Sequence, residues 1–279
     1  MEAERLKRLE AAARQVRYDI VEAIGNIGIG HFGGALSIVE VLTVLYFSQM
    51  NASPANAKDP GRDKLVLSKG HAGPALYAVL AQKGYFPRET LFTLNQGGTS
   101  LPSHCDRNLT PGIDMTTGSL GQGLSVAIGM ALADRMDGRK NRIFAIIGDG
   151  ESDEGQVWEA AMAASQYGLS NLIAFTDYNK MNIDGLTSEI MNLDDLGAKW
   201  RAFNWNVLRT DGHDLEAIDR AIDAARLESD RPTMIILDTI KGKGCSIAEG
   251  KLSSHNMAIS KEQKEKALGE LSAAMGELS

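Results

Sequence analysis

Apolar positions recur at helical spacing over residues 3–24, at Leu6, Leu9, Ala13, Val16, Ile20 and Ile24, which predicts an amphipathic helix ending at Gly25. A Gly-rich turn, Gly28 to Gly34, precedes a second helix from about Leu36 to Met50, and the polar, Pro-bearing residues 51–64 read as a surface loop. A short apolar run from Lys64 to Leu67 predicts a strand, followed by the turn Ser68 to Gly73, with Pro74 suited to the first turn of another helix. Residues 95–118 are loop-like, and so long an irregular stretch inside a compact domain is usually functional. A helix of small residues then runs to about Met136, where Gly121, Ala127, Gly129 and Ala133 permit close approach of another helix, inside the fold or at a subunit interface. Further strands are predicted from Trp205 to Arg209 and from Met234 to Asp238, joined by a helix from Leu215 to Leu227. The turn starting at Lys241, a loop to His255 and a charged helix complete the chain. Strands alternating with helices predict an α/β fold with a mostly parallel sheet, organised as a single domain over residues 1–279.

Composition narrows the partners. A net charge of −7 over 279 residues gives no basic footprint for nucleic acid or an anionic membrane. The two cysteines, Cys105 and Cys245, lie far apart without zinc-ligand spacing, which points to a reduced, cytoplasmic setting. The N-terminus lacks an apolar signal core, and no apolar run is long enough to span a bilayer.

The chemistry is concentrated around Ala145-Ile-Ile-Gly-Asp-Gly150. One apolar strand ends in Gly-Asp-Gly, and a second, Leu172 to Thr176, ends in an Asp-x-Asn turn, with a helix from Ser152 to Gly168 between them. That unit has the length of a right-handed parallel crossover, so both turns leave the carboxyl ends of parallel strands, where open α/β sheets place ligands. The carboxylate of Asp149 and the amide of Asn179 then face one cavity, an oxygen pair suited to a Mg²⁺ that also holds phosphate oxygens. Met181 would add only its backbone carbonyl. Gly-Asp-Gly taken alone reads equally well as a strand end with Asp149 capping the next helix.

Three of the five histidines, His31, His71 and His104, sit in Gly- or Pro-rich turns, which suggests a polar pocket lined by imidazoles able to move protons near neutral pH. His213 reads as a helix-start residue. The run Thr116-Thr-Gly-Ser-Leu-Gly-Gln-Gly123 is either a tight turn into a packed helix or backbone that passes a flat ring. Glu154 either favours the dipole of the helix it opens or shares a proton with a carboxylate across an interface.

With these pieces in place the sequence resembles the N-terminal, diphosphate-binding part of transketolase. The motifs that carry the resemblance are Gly-His-Phe-Gly-Gly, Ser-Lys-Gly-His-Ala, Pro-Ser-His, Thr-Thr-Gly-Ser-Leu-Gly-Gln-Gly, Gly-Asp-Gly with Glu-Gly after it, and Asp-Tyr-Asn-Lys-Met-Asn-Ile-Asp-Gly, spread over nearly the whole chain. The resemblance implies a three-layer α/β/α, thiamine diphosphate-binding fold, with Mg²⁺ (or Ca²⁺ or Mn²⁺ in its place) held by Asp149, Asn179 and the carbonyl of Met181. It places Gly150 and His71 near the diphosphate, Gly118 and Leu120 near the aminopyrimidine, and Ile183 against the thiazolium. His31, His71, His104 and His255 would line the substrate channel, and Glu154 would meet a glutamate of a neighbouring pyrimidine-binding domain. The implied activity is transfer of a two-carbon ketol unit from a ketose, phosphorylated or otherwise, to an aldose acceptor.

The chain departs from the family at Phe32, where proline usually follows the first histidine, and at Asn256, where glycine usually follows the last. The pyrimidine-binding and C-terminal domains of full-length transketolases have no counterpart in these residues. The expectation is therefore a chain inactive alone, one subunit of a split transferase that joins a pyrimidine-domain partner in an α₂β₂ assembly. The alternatives are the α subunit of a 2-oxoacid dehydrogenase and a non-catalytic thiamine diphosphate-binding scaffold. A Mg²⁺-dependent phosphohydrolase would need a second well-placed carboxylate. The grouped His31, His71 and His104 favour sugar handling.

Overall fold

The computed structural model describes residues 1–276. Its strands are β1 (Ile29–Gly30), β2 (Lys64–Leu67), β3 (Ile143–Gly148), β4 (Leu172–Tyr178), β5 (Asn206–Asp211), β6 (Thr233–Asp238) and β7 (Met257–Ala258). Five form one sheet in the order β2-β3-β4-β6-β5, every neighbouring pair parallel. The remaining two form a two-residue antiparallel ribbon that joins the first Gly-rich turn to the segment after His255. The fold is α/β, as the alternation of elements predicts.

The sheet is covered on both faces, and the strand sequences show why. Central strands β3, β4 and β6 are apolar at nearly every position, the pattern of strands buried on two sides. Successive side chains go to opposite faces. Phe144, Ile146, Ile173, Phe175, Ile235 and Leu237 join the core that includes helices Ala3–Ile27, Gly73–Gln82 and Leu215–Arg226. Ile143, Ala145, Ile147, Leu172, Ala174, Met234 and Ile236 join the core with helices Gln122–Met136, Gly155–Gln166 and Leu196–Ala202. Edge strand β5 is half-exposed, and its residues are correspondingly more polar.

Several boundaries differ from the sequence expectation. The first helix does not stop at Gly25 but runs to Ile27 and is capped by Gly28 in the left-handed region. Gly25 serves a close approach instead: a Cβ there would meet the Lys264 side chain of helix Lys261–Gly276 at 2.7 Å. The second predicted helix is broken into Phe32–Leu36, Val39–Val44 and a wider turn over Leu45–Gln49. At the first break the Ser37 hydroxyl donates to Asp177, 2.6 Å away. The crossover helix is Gly155–Gln166, preceded by a tight turn over Gly150–Asp153. No helix among the described residues is long and apolar enough to cross a membrane.

Candidate active site

The register of β3 and β4 pairs Gly148 with Asp177, so the turns that follow leave the sheet side by side. Asp149 begins the first turn, where its Oδ1 accepts the N–H of Gly150 at 2.8 Å and its Oδ2 accepts the N–H of Lys180. Asn179 sits in the second turn, its Nδ2 donating to Asp177 at 3.1 Å and its Oδ1 accepting from the N–H of Met181 at 3.1 Å. Both lie on the wall of a cavity of about 230 Å³ at the carboxyl ends of the strands. Of the other residues singled out from the sequence, His71, Leu120, Gly150, Met181, Ile183 and His255 line the same cavity.

A Cβ at position 150 would fall 1.9 Å from Asn182 Oδ1, so any larger residue there requires the Asn182 side chain to move. That Asn182 oxygen is buried and has no hydrogen-bond partner among the described residues. Burial, and after it the Asp177 carboxylate, push Asp149 up to about 7. A buried carboxylate pressed so far toward its protonated form is one that a cation would relieve. Among the described residues, no three His, Cys, Asp or Glu side chains are grouped as metal ligands. The donor set here is one carboxylate, one amide and a backbone carbonyl, all oxygen, which suits a hard cation completed by phosphate oxygens and does not suit zinc.

Two lysines that no sequence motif singles out also stand in the cavity wall. Lys69, in the turn after β2, is buried and paired with Asp177. Burial alone would raise Asp177, but Lys69, with Ser37 and Thr239 as hydrogen-bond donors, holds it below its ordinary value. Lys241, in the turn after β6, directs its ammonium toward the carbonyls of Met181 and Asn182 at 3.3 and 3.2 Å. Burial, then the Lys69 charge, bring it down to about 8. The readable signal was position: both follow strand ends in Gly-rich turns, as Asp149 does. The Lys241 ammonium, glycine backbone and oxygen ligands in one cavity fit a diphosphate with its divalent ion, while the Lys69 charge is matched by Asp177.

Four imidazoles stand together beyond this floor. The His31 ring lies 5.4 to 5.5 Å from the rings of His71, His104 and His255, and His71 lies 5.0 Å from His255. His31 is pushed down to about 4 by burial and then by His104, and His255 to about 4 by burial and then by Lys241. Burial also lowers His104, and burial with Lys69 lowers His71 well below its ordinary value. All four rings are thus neutral at pH 7, each with one N–H and one lone pair. Gly118 runs beside them, and a Cβ there would meet the His104 ring at 3.3 Å. Glu154 is exposed and lies outside the cavity wall, against Gly121.

A family model described as the transketolase, thiamine diphosphate binding domain matches residues 7–272. The chain belongs to the transketolase family. It is 59% identical over 263 residues to a 6-deoxy-6-sulfo-D-fructose transketolase subunit from a Clostridium strain, covering 94% of this chain and 96% of that one. It is 41% identical over 270 residues to an apulose-4-phosphate transketolase subunit from Phocaeicola vulgatus, covering 97% and 96%. The crystal structure of Pichia stipitis transketolase in complex with sedoheptulose 7-phosphate is similar to this fold with a TM-score of 0.87 at 31% identity. That match covers 97% of this chain and 43% of the other, so the chain spans less than half the length of that solved transketolase. Thiamine diphosphate is the cofactor of this transketolase domain.

Proposed function

We propose that this chain, as a single diphosphate-binding domain over residues 1–279, is the N-terminal subunit of a two-component transketolase in the cytoplasm. It would move a two-carbon ketol unit from a ketose to an aldose acceptor, together with a partner that carries the pyrimidine-binding domain, in an α₂β₂ assembly. The observation that carries the reading is the meeting of Asp149, Asn179, the Met181 carbonyl and Lys241 on the floor of one cavity, with four neutral imidazoles beyond it. That some relatives of almost the same length are named as subunits supports the division of labour. Their named substrates, a sulfonated ketose and a ketose phosphate, make a ketose with an anionic terminal group the proposed donor class.

When bound, thiamine diphosphate supplies a nucleophilic carbon and an electron sink for carbon–carbon cleavage. The protein's part is position and charge. Asp149, Asn179 and the Met181 carbonyl would hold Mg²⁺, and Lys241 and His71 would face the diphosphate oxygens. Leu120 and Ile183 would give the rings an apolar wall, and Gly118 would let backbone pass close to them. His31, His104 and His255 would donate to sugar oxygens and accept protons from them, a task open to neutral rings and closed to rings that are already charged. Glu154, outside the cavity and exposed, is free to meet a carboxylate of the partner.

The test combines the purified chain with a pyrimidine-domain partner, thiamine diphosphate and Mg²⁺, and follows ketol transfer from a sulfonated and a phosphorylated ketose. Transfer in the mixture and none with either chain alone is the expected result. Turnover by this chain alone would refute the division of labour, and cofactor binding without transfer in any mixture would favour a scaffold.

A further inference from the structure

The fifth histidine stands apart from the other four and does something the site described above does not account for. His213 lies just beyond β5, and its ring reaches into the fold between two backbone segments. Its Nε2 accepts the backbone N–H of Ile240 at 2.8 Å, and its Nδ1 lies 3.1 Å from Glu40 Oε2. A ring nitrogen that accepts a backbone N–H carries no hydrogen, so the proton of the neutral ring is assigned to Nδ1, which donates to Glu40. The other oxygen of Glu40 is paired with the guanidinium of Arg17, from the first helix. The Nε of Arg17 then donates to the carbonyl of Lys243 at 3.0 Å.

Both ends of this chain of contacts therefore terminate on one turn, at the N–H of Ile240 and the C=O of Lys243, and Lys241 lies between them. The same turn is pinned in its middle, where the N–H of Gly242 donates to the carbonyl of Gly33 at 3.0 Å. Arg17 and Glu40 are buried. Burial would raise the Glu40 carboxyl, but Arg17 and His213 together hold it below its ordinary value, so it remains ionised. A buried ion pair alone is weak evidence of purpose, because such pairs contribute little net stability. Here the geometry supplies what the pair alone lacks: its two ends close on a single short turn.

We propose that His213, through Glu40 and Arg17, is a positioning residue that fixes the turn over residues 240–243 and so aims the Lys241 ammonium into the diphosphate cavity. Lys241 is part of the cavity wall, whereas His213, Glu40 and Arg17 line a separate cavity and not this one. With the turn so held, Lys241 is preorganised before anything binds. The proposal rests on the proposed reading only for what Lys241 faces; the grip on the turn does not depend on it.

Hydrogen–deuterium exchange of the full chain tests the grip directly. His213→Leu keeps bulk and removes both contacts, and exchange of the 239–244 segment should quicken about fivefold or more while β3 and β4 are unchanged. His213→Gln, which retains one donor and one acceptor, should restore protection. Arg17→Lys keeps a charge for Glu40 but shortens the reach to Lys243, and it should loosen the same segment even if the leucine variant fails to fold. Unchanged exchange in both, or equal damage from Gln and Leu, would overturn the proposal. A second arm measures binding of thiamine diphosphate with Mg²⁺ to the chain and its partner, using Lys241→Met as reference. His213→Leu should weaken binding in the same direction as Lys241→Met, and His213→Gln should recover it. Looser exchange without weaker binding would overturn the aiming of Lys241. If Lys241→Met itself binds normally, the diphosphate reading fails and the exchange result stands by itself.

Discussion

Replacing Lys69 by methionine keeps most of its apolar stem and removes its charge. The Lys69 side chain is 2% exposed and its partner Asp177 is 0% exposed, so the change leaves a carboxylate in the interior without its cation. Breaking such a pair from one side ordinarily costs about 3–5 kcal/mol, most of it the penalty of the charge left behind. Asp177 would keep the Ser37 hydroxyl at 2.6 Å, the Asn179 amide at 3.1 Å and the Thr239 hydroxyl. Those three donors place the expected loss at the lower end, about 3 kcal/mol, or roughly a hundredfold in the folding equilibrium. Urea unfolding of the full chain, followed by circular dichroism, reads this as a lower midpoint at unchanged slope. Asp177→Asn on the same background removes the stranded charge and should recover a large part of the loss. A single variant less than about 1 kcal/mol below the parent, or a double variant no better than the single, would show that the pair is not what holds these turns together.

Asp149→Ala takes the charged ligand from the proposed cation and should abolish binding of thiamine diphosphate with Mg²⁺ in calorimetry; near-normal affinity would defeat the assignment. His104→Ala should leave cofactor affinity unchanged and slow turnover of the assembled enzyme by about a hundredfold, the scale of a lost proton-transfer group. A fall in cofactor affinity instead would move His104 from the channel to the cradle. His31 and His255 have native values of about 4 against an ordinary 6.5, so the unfolded chain takes up protons that the native one refuses. Their contribution to stability is intact above pH 6.5 and is lost as pH falls toward 4. Asp149, at about 7 against an ordinary 3.8, works with the opposite sign across that range. A double His31→Asn, His255→Asn variant should therefore show a flatter fall in thermal midpoint between pH 6.5 and 4 than the parent, and an unchanged profile would count against buried neutral rings. Gly70→Ala brings a Cβ to 2.7 Å from the Thr117 backbone, which cannot swing aside, and should destabilise the chain by about 1–3 kcal/mol in the same urea assay.

The floor of the site was legible because it depends on strand ends. Long apolar runs such as Phe144 to Ile147 and Leu172 to Phe175 fix where the strands lie, and the turn after each places Asp149 and Asn179 with little freedom. What the chain did not reveal was burial of polar groups, which arises from contacts remote in sequence. Nothing in the sequence marks Lys69 and Lys241 as buried until Asp177 and Met181 are brought to them by the sheet. His213 does stand at the start of a helix, directly before its Asp214 cap, and its second role was hidden because its two partners, Glu40 and Ile240, are far away along the chain. The misplaced helix ends have the same origin. Gly25 carries the usual mark of a stop, yet the glycine is spent on clearance for Lys264, and the helix continues because its apolar face is still being covered.

Asp177 receives contacts from Ser37, Lys69, Asn179 and Thr239, which belong to four separate stretches of the chain. A single carboxylate thus works as a shared anchor point, and any drift at one contributor is transmitted to the other three. The floor of the cradle must change in concert or stay as it is. Among the described residues no hydrogen bond ties the four imidazoles to one shared group, although His31 packs against the other three, so under the proposed reading changes that suit a new sugar have more room there than below.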